Sequence, residues 1–253
     1  MSTPTTWPPS VEAAALDDDT VHLWRVPLDT DPETLEACRA VLDVEEHRRA
    51  DRFRASLQTQ RFAVARGTLR RLLGSYVGID PGQLDFSYGE HGKPQLELPA
   101  VDLHSDLHSD LHFNVSHSGG VALMAFVRGR AVGVDVERTE REVGWERVAR
   151  RFFSRPELDE LMGLPPEQRR SGFFRCWTCK EAYMKATGRG ITLGLGNFSV
   201  RVDPSRLAQL LWAAEGQVED WSLLAVDPGP DTAGALCVAG DGELKIERFA
   251  PTE

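Results

Sequence analysis

The residues of this chain best suited to chemistry are Asp135 and Glu137, in the run Gly133-Val134-Asp135-Val136-Glu137. Side chains alternate along a strand with period 2, so both carboxylates project from one face of a β-branched strand. Magnesium prefers hard oxygen ligands and keeps waters and substrate phosphates in its other positions, so such a pair is suited to clamp it. The alternative is a strand end whose acids face water, and the pair alone does not decide. A third carboxylate, Glu181, shares a helical face with Lys185. Taken alone, that is an i, i+4 ion pair worth about 0.2–0.5 kcal/mol.

Cations concentrate earlier in the chain, at Arg48, Arg49, Arg52, Arg54 and Arg61. They form either a solvated face or an anion site, since guanidinium forks match phosphate oxygens. The turn containing Gly89, Gly92, Lys93 and Pro94 presents one further lysine as a phosphate candidate. His117, in Phe113-Asn114-Val115-Ser116-His117-Ser118, is either a site residue or a hydrogen-bonded core histidine.

The elements that would position these groups are legible in outline. A strand is expected at Val21 to Val26, and Asp31-Pro32-Glu33 starts a helix with Asp31 as N-cap. Arg61 to Tyr76 is an amphipathic helix closed by Gly78. Leu84 to Tyr88 is a short strand. Phe113 to Ser118, Val121 to Val127 and the strand ending in Glu137 are expected to form an antiparallel meander, with His117 near the carboxylates. Ser154-Arg155-Pro156-Glu157 is a capping box, so Glu157 has a structural task. A long helix follows from about Glu167 to Thr187, ended by Gly188 and Gly190, with Phe173, Phe174, Trp177 and Met184 on its core side. Strands at Phe198 to Val202, Trp221 to Val226, Ala235 to Ala239 and Leu244 to Phe249 complete a second sheet-containing half. The succession helix, glycine turn, short strand occurs at 61–88 and again at 173–202, which suggests two related halves packed face to face.

Cys176 and Cys179 have C-x-x-C spacing but fall inside the helix, and Cys38 and Cys237 supply no second pair for zinc, so all four are read as packing residues. Asp102 to His112 repeats Asp-Leu-His-Ser in tandem. His104, His108 and His112 would share a helical face able to bind a transition metal, but such low-complexity sequence between strands reads as a surface loop.

A net charge of -10 argues against a nucleic-acid binder held by general electrostatics. The longest uninterrupted apolar run, Val121 to Val127, falls short of the ~20 residues that cross a bilayer. Four cysteines and no apolar leader predict a cytoplasmic protein away from membranes.

Phe113 to Ser118, Gly133 to Glu137, Arg151-Phe152-Phe153-Ser154 and Trp177-Thr178-Cys179-Lys180-Glu181-Ala182-x-x-Lys185 occur in that order, and together they resemble the 4'-phosphopantetheinyl transferases. The resemblance spans about Val44 to Ala239 and is to the larger, monomeric type that activates peptide and polyketide synthases. It implies an α+β pseudo-dimer, each half an antiparallel sheet packed with helices and the ligand cleft between them. The corresponding division is a mobile head at 1–20, an N-terminal half at 21–112 with basic contacts to coenzyme A phosphates, and a C-terminal half at 113–253 with the magnesium site. The implied reaction moves the 4'-phosphopantetheine arm of coenzyme A to a serine of an apo acyl or peptidyl carrier protein, giving holo carrier and adenosine 3',5'-bisphosphate. By resemblance, Asp135, Glu137 and Glu181 hold Mg2+, with Mn2+ an alternative, and Lys185 contacts the pyrophosphate. Glu181 is the implied base, acting directly or through water. Arg49, Arg61, Lys93, Ser116 and His117 match residues that contact coenzyme A phosphates. One family position that is often lysine is Glu46 here.

Two other classes are distinguishable in principle. A magnesium-dependent nucleotide pyrophosphohydrolase would need the same acids and cations but no protein acceptor. A non-catalytic carrier-binding homologue would have lost Glu181, Lys185 or a strand acid, and all are present.

Overall fold

The computed structural model describes residues 7–10, 15–89, 92–97, 110–240 and 244–251. Most of the tandem repeat, including His104 and His108, lies outside the described residues. In chain order the elements are β1 (Pro9–Ser10), β2 (Thr20–Pro27), α1 (Pro32–Arg39), α2 (Val44–Asp51), α3 (Ser56–Val77), β3 (Asp85–Tyr88), β4 (Pro94–Glu97), β5 (Leu111–Ser118), β6 (Val121–Arg128), β7 (Val132–Arg138), α4 (Trp145–Phe152), α5 (Arg155–Gly163), α6 (Pro166–Thr187), β8 (Phe198–Val200), β9 (Leu210–Ala213), β10 (Trp221–Val226), β11 (Thr232–Ala239) and β12 (Lys245–Pro251).

Two main sheets form, ordered β1-β12-β2-β6-β5 and β10-β11-β7, with small hairpins β3-β4 and β8-β9. Alternation along the strands makes the chain α+β in four layers. Ala122, Met124 and Phe126 of β6 pack with Val64, Leu69, Leu72 and Tyr76 of α3. Val121, Leu123, Ala125 and Val127 face the second sheet, where they meet Val132, Val134 and Val136 of β7 and Leu236 and Val238 of β11. Covered on both faces, β6 is apolar at nearly every position, as a fully buried strand must be. On the outer face of the second sheet, Ala235 and Cys237 pack with Phe174, Cys179 and Met184 of α6.

Local signals behave as their chemistry requires. The Asp31 carboxylate caps α1 by accepting from Glu33 N and Thr34 N, and α3 ends on Gly78 at φ 67. α6 ends on Gly188 at φ 69, and both of these helices are 22 residues long and precede a two-stranded hairpin. Among the described residues no helix is long and apolar enough to cross a membrane.

Three expectations are corrected. The meander does not form, because β6 already has β2 and β5 on its two edges, so β7 crosses to the second sheet and pairs with β11. The strand after Leu244 does not complete the second half: β12 runs parallel to β2 inside the first sheet. β5 spans residue 112 and β6 and β12 follow it, yet all three share a sheet with β2. Within the segment read as a head, Pro9–Ser10 pairs with β12 and Leu16 is buried.

Candidate active site

The edge strands β5 and β7 meet where the sheets adjoin, and side chains join them in place of a backbone ladder. Asn114, Ser116 and Ser118 alternate along β5 and reach across. Asn114 Oδ1 accepts from Val134 N at 2.8 Å, Ser116 Oγ donates to Asp135 Oδ1 at 2.8 Å, and Ser118 Oγ donates to Glu137 Oε2 at 2.8 Å. Phe113 and Val115 point the other way, toward α3.

Gly133, Asp135 and Glu137 face α6. A Cβ on Gly133 would lie 2.1 Å from Ala182 O and 2.3 Å from Ala186 N, so only glycine lets the helix backbone rest on the strand there. That close approach sets Asp135 beside Lys185, whose Nζ donates to Asp135 Oδ1 at 2.7 Å, Ser116 Oγ at 2.9 Å and Val134 O at 3.1 Å. Asp135 is 5% exposed, and its Oδ2 is buried without a hydrogen-bond partner. Glu181 stands one turn before Lys185. Burial, then the neighbouring Asp135 carboxylate, raises its pKa, with Lys185 opposing and Glu137 adding. The Glu137 pKa is also raised, by burial first, with Ser118 and Arg141 opposing and Asp135 adding. Acids that lift one another's pKa share a site in want of a cation. In this structure the cation is the Lys185 ammonium, and among the described residues no three His, Cys, Asp or Glu side chains stand together as a metal-ligand group.

Lys93 reaches this junction from the β3-β4 hairpin and donates to Val132 O and Lys185 O, each at 3.0 Å. Burial, then the Lys185 charge, lowers its pKa to about 8. Because neighbouring residues on a strand face opposite ways, Ser116 and His117 part company: Ser116 joins the acids, whereas His117 lines a cavity of about 180 Å³ with Arg49, Arg66, Tyr88 and Val115. Its pKa is lowered by the packing around the ring, then by the Lys185 and Arg49 charges. Arg61 and His117 also line a neighbouring hollow of about 180 Å³. The Arg61 fork is already engaged by Asp29, with two bonds of 2.7 Å.

Other candidates prove structural. Lys180 turns inward to Glu157, at 2.6 and 2.9 Å, and to Phe198 O at 2.8 Å, while Glu157 also accepts from Ser154 N at the start of α5. Cys176 and Cys179 are buried and burial raises both pKa values, that of Cys179 to about 11, so neither is a thiolate at neutral pH. Glu46 is 4% exposed and held by Arg66 and Arg70. Sequence reasoning missed the bridging roles of Asn114 and Ser118; their period-2 spacing with Ser116, matching that of Asp135 and Glu137, was the available signal.

Residues 131–238 match the family model described as the 4'-phosphopantetheinyl transferase superfamily, and residues 28–128 match the one described as 4'-phosphopantetheinyl transferase, N-terminal. Over 237 residues, 94% of this chain and 95% of the relative, the sequence is 41% identical to the 4'-phosphopantetheinyl transferase HetI of Nostoc sp. strain PCC 7120. It is 30% identical to the 4'-phosphopantetheinyl transferase Sfp of Bacillus subtilis strain 168, covering 67% of this chain and 70% of that one. A phosphopantetheinyl transferase of Thraustochytrium sp. is 30% identical over 78% of this chain and 67% of its own length.

Proposed function

The chain belongs to the 4'-phosphopantetheinyl transferase superfamily and is a transferase, and we propose that it moves the 4'-phosphopantetheine arm of coenzyme A to a serine hydroxyl of an apo acyl or peptidyl carrier protein. Adenosine 3',5'-bisphosphate is the other product. The observation that supports this most is Asp135 bonded to Lys185, with Glu137 and Glu181 near enough to feel the Asp135 charge, beside a cavity lined by Arg49, Arg66 and His117. The proposed working unit is a cytoplasmic monomer of two similar halves, with coenzyme A in the cleft between them. The matching 22-residue helices, each ending on a left-handed glycine before a hairpin, support that symmetry.

The donor set fits magnesium. Three carboxylates are hard ligands, and Asp135 Oδ2 is a buried oxygen with no hydrogen-bond partner. Asp135, Glu137 and Glu181 would hold the ion, which when bound neutralises charge on the pyrophosphate. The remaining tasks fall to side chains of this chain. Glu181, its pKa raised, takes the proton of the incoming serine as the oxygen attacks phosphorus. The bond from that phosphorus to the bridging oxygen breaks, and Lys185 meets the charge that develops on the leaving phosphate. Ser116 orients both Asp135 and Lys185. Lys93, Arg49, Arg61 and His117 would contact the phosphates of coenzyme A.

Intact-mass measurement tests the reading. With magnesium and coenzyme A, an apo carrier domain should gain ~340 Da, the mass of the arm this cofactor carries. No gain on any of several carriers overturns it, and hydrolysis of coenzyme A without a carrier would favour a pyrophosphohydrolase instead.

A further inference from the structure

The second sheet has one edge on which, among the described residues, no strand lies. β10 pairs with β11 on one side alone, whereas β7, at the other edge, is joined to β5 by side chains. Edge strands are commonly blunted by lysine, proline or a bulge, and β10 reads Trp-Ser-Leu-Leu-Ala-Val in unbroken register, with none of these. Both of its faces meet apolar ground. Trp221 and Leu223 turn toward the α6 cluster, and by alternation Ser222 and Leu224 turn toward the space between the sheets, as Val226 does. Beside β10 lies a groove of about 520 Å³, lined by Leu210, Val218, Trp221, Leu223, Leu224 and Leu244. In the segment that approaches it from β9, Leu207 is 88% exposed and Trp212 50% exposed. Charge frames the groove. Glu219 and Asp220 stand at the start of β10 and Asp227 at its end, all three exposed and, among the described residues, none in an ion pair. Asp220 and Asp227 accept only from the backbone N–H groups of Gln217 and Gly229. Cations of the region are already engaged: Arg189 by Glu215, Lys245 by Glu247, while Arg201 and Arg206 feel the Asp203 carboxylate.

We infer that the β10 edge docks an extended segment of a partner protein, apolar in its middle and carrying lysine or arginine at each end, which adds to the sheet as a further strand. The open edge supplies backbone hydrogen bonds, and the groove receives alternate side chains. The six residues of β10 span about 20 Å, so the acids at its two ends set the distance between the basic residues of the segment. A second copy of this chain does not suit the edge. Antiparallel pairing would bring the Glu219 and Asp220 end of one β10 against the Asp227 end of the other, and parallel pairing would set each acid against itself. Because β11 separates β10 from β7, the docked segment lies on the edge opposite Asp135 and Glu137 and leaves them uncovered.

The test uses the full chain and a fluorescein-labelled peptide of alternating valine and threonine with a lysine at each end. Its anisotropy should rise to saturation, and the same peptide with glutamate in place of both lysines should bind at least about tenfold more weakly. A proline at the centre of the peptide should abolish binding, because it removes a ladder hydrogen bond. Glu219→Lys combined with Asp227→Lys alters exposed side chains alone, so the fold is kept, and should weaken the lysine peptide about tenfold. Hydrogen exchange should slow in the β10 amides when the lysine peptide is added. No saturation by about 1 mM peptide overturns the inference. So does equal affinity for the lysine and glutamate peptides, an undiminished affinity in the double variant, or protection confined to amides outside β10. Self-association in sedimentation that slows exchange in β10 without peptide would make a second copy the occupant and overturn it as well.

Discussion

The Lys185 ammonium stands 2.7 Å from Asp135 Oδ1 across a sequence separation of 50 residues, joining the end of α6 to the edge of the second sheet. Replacing Lys185 by Met leaves Asp135 buried without its cation and the leaving phosphate without a charge partner. Carrier modification should fall about 10²–10³-fold in kcat. A variant retaining near wild-type turnover would remove Lys185 from the reaction.

Gly133→Ala introduces a Cβ 2.1 Å from Ala182 O, which neither backbone can absorb without moving. Urea denaturation should show a loss of about 1–3 kcal/mol. Turnover should fall as well, since the same displacement shifts Asp135 from Lys185. An unperturbed midpoint would mean that β7 and α6 do not meet as described.

Glu157→Gln disconnects a fully buried lysine, and Lys180 is left with only Phe198 O and a neutral amide. Breaking a buried ion pair costs about 3–5 kcal/mol, so the melting temperature should fall by several degrees. The rate per folded molecule should not change. This separates Lys180 from Lys185, five positions later, whose loss should act chiefly on turnover.

His22, bonded to Tyr76 OH at 2.8 Å, has its pKa lowered from 6.5 by burial, with Glu247 partly opposing. The unfolded chain therefore takes up a proton that the folded chain resists. Its contribution to stability is present above pH 6.5 and is lost as pH falls toward the folded pKa. Glu137 and Glu181 act with the opposite sign, because raised carboxyl pKa values favour the protonated native state as pH falls through them. The difference in urea midpoint between wild type and His22→Gln should isolate the histidine and diminish from pH 8 to pH 5. A constant difference would contradict the assignment.

Much of the local structure was written in residue chemistry. Asp31, Gly78, Gly188 and the pairing of Ser154 with Glu157 mark helix ends through bonds made within a few residues, so they could be read directly. Sheet membership could not. β7 follows β6 across a tight turn, which looks like a meander, and only the occupation of both β6 edges by distant strands excludes it. The acids of the candidate site were visible as a period-2 pair, and Glu181 and Lys185 as a helical pair. Which arginines remain available to an anion was not visible, because Asp29 engages Arg61 and Glu46 engages Arg66 and Arg70 from sequence positions more than nineteen residues away.

β12 lies between β1 and β2, and its pairing with β2 joins Lys245 to Thr20 and Phe249 to Trp24. During synthesis on a ribosome, β2 therefore emerges long before its partner and keeps one edge open until β12 has been made. Exposed strand edges invite wrong partners, so the nascent first sheet has to be protected until β12 emerges. Both strands lie outside the matched segments, 28–128 and 131–238, and a gene cut between those segments would separate β6 from β7 while leaving β2 dependent on the far fragment. The two layers of sheet are thus interlocked by thread order as well as by packing, and the first sheet closes only when β12 arrives.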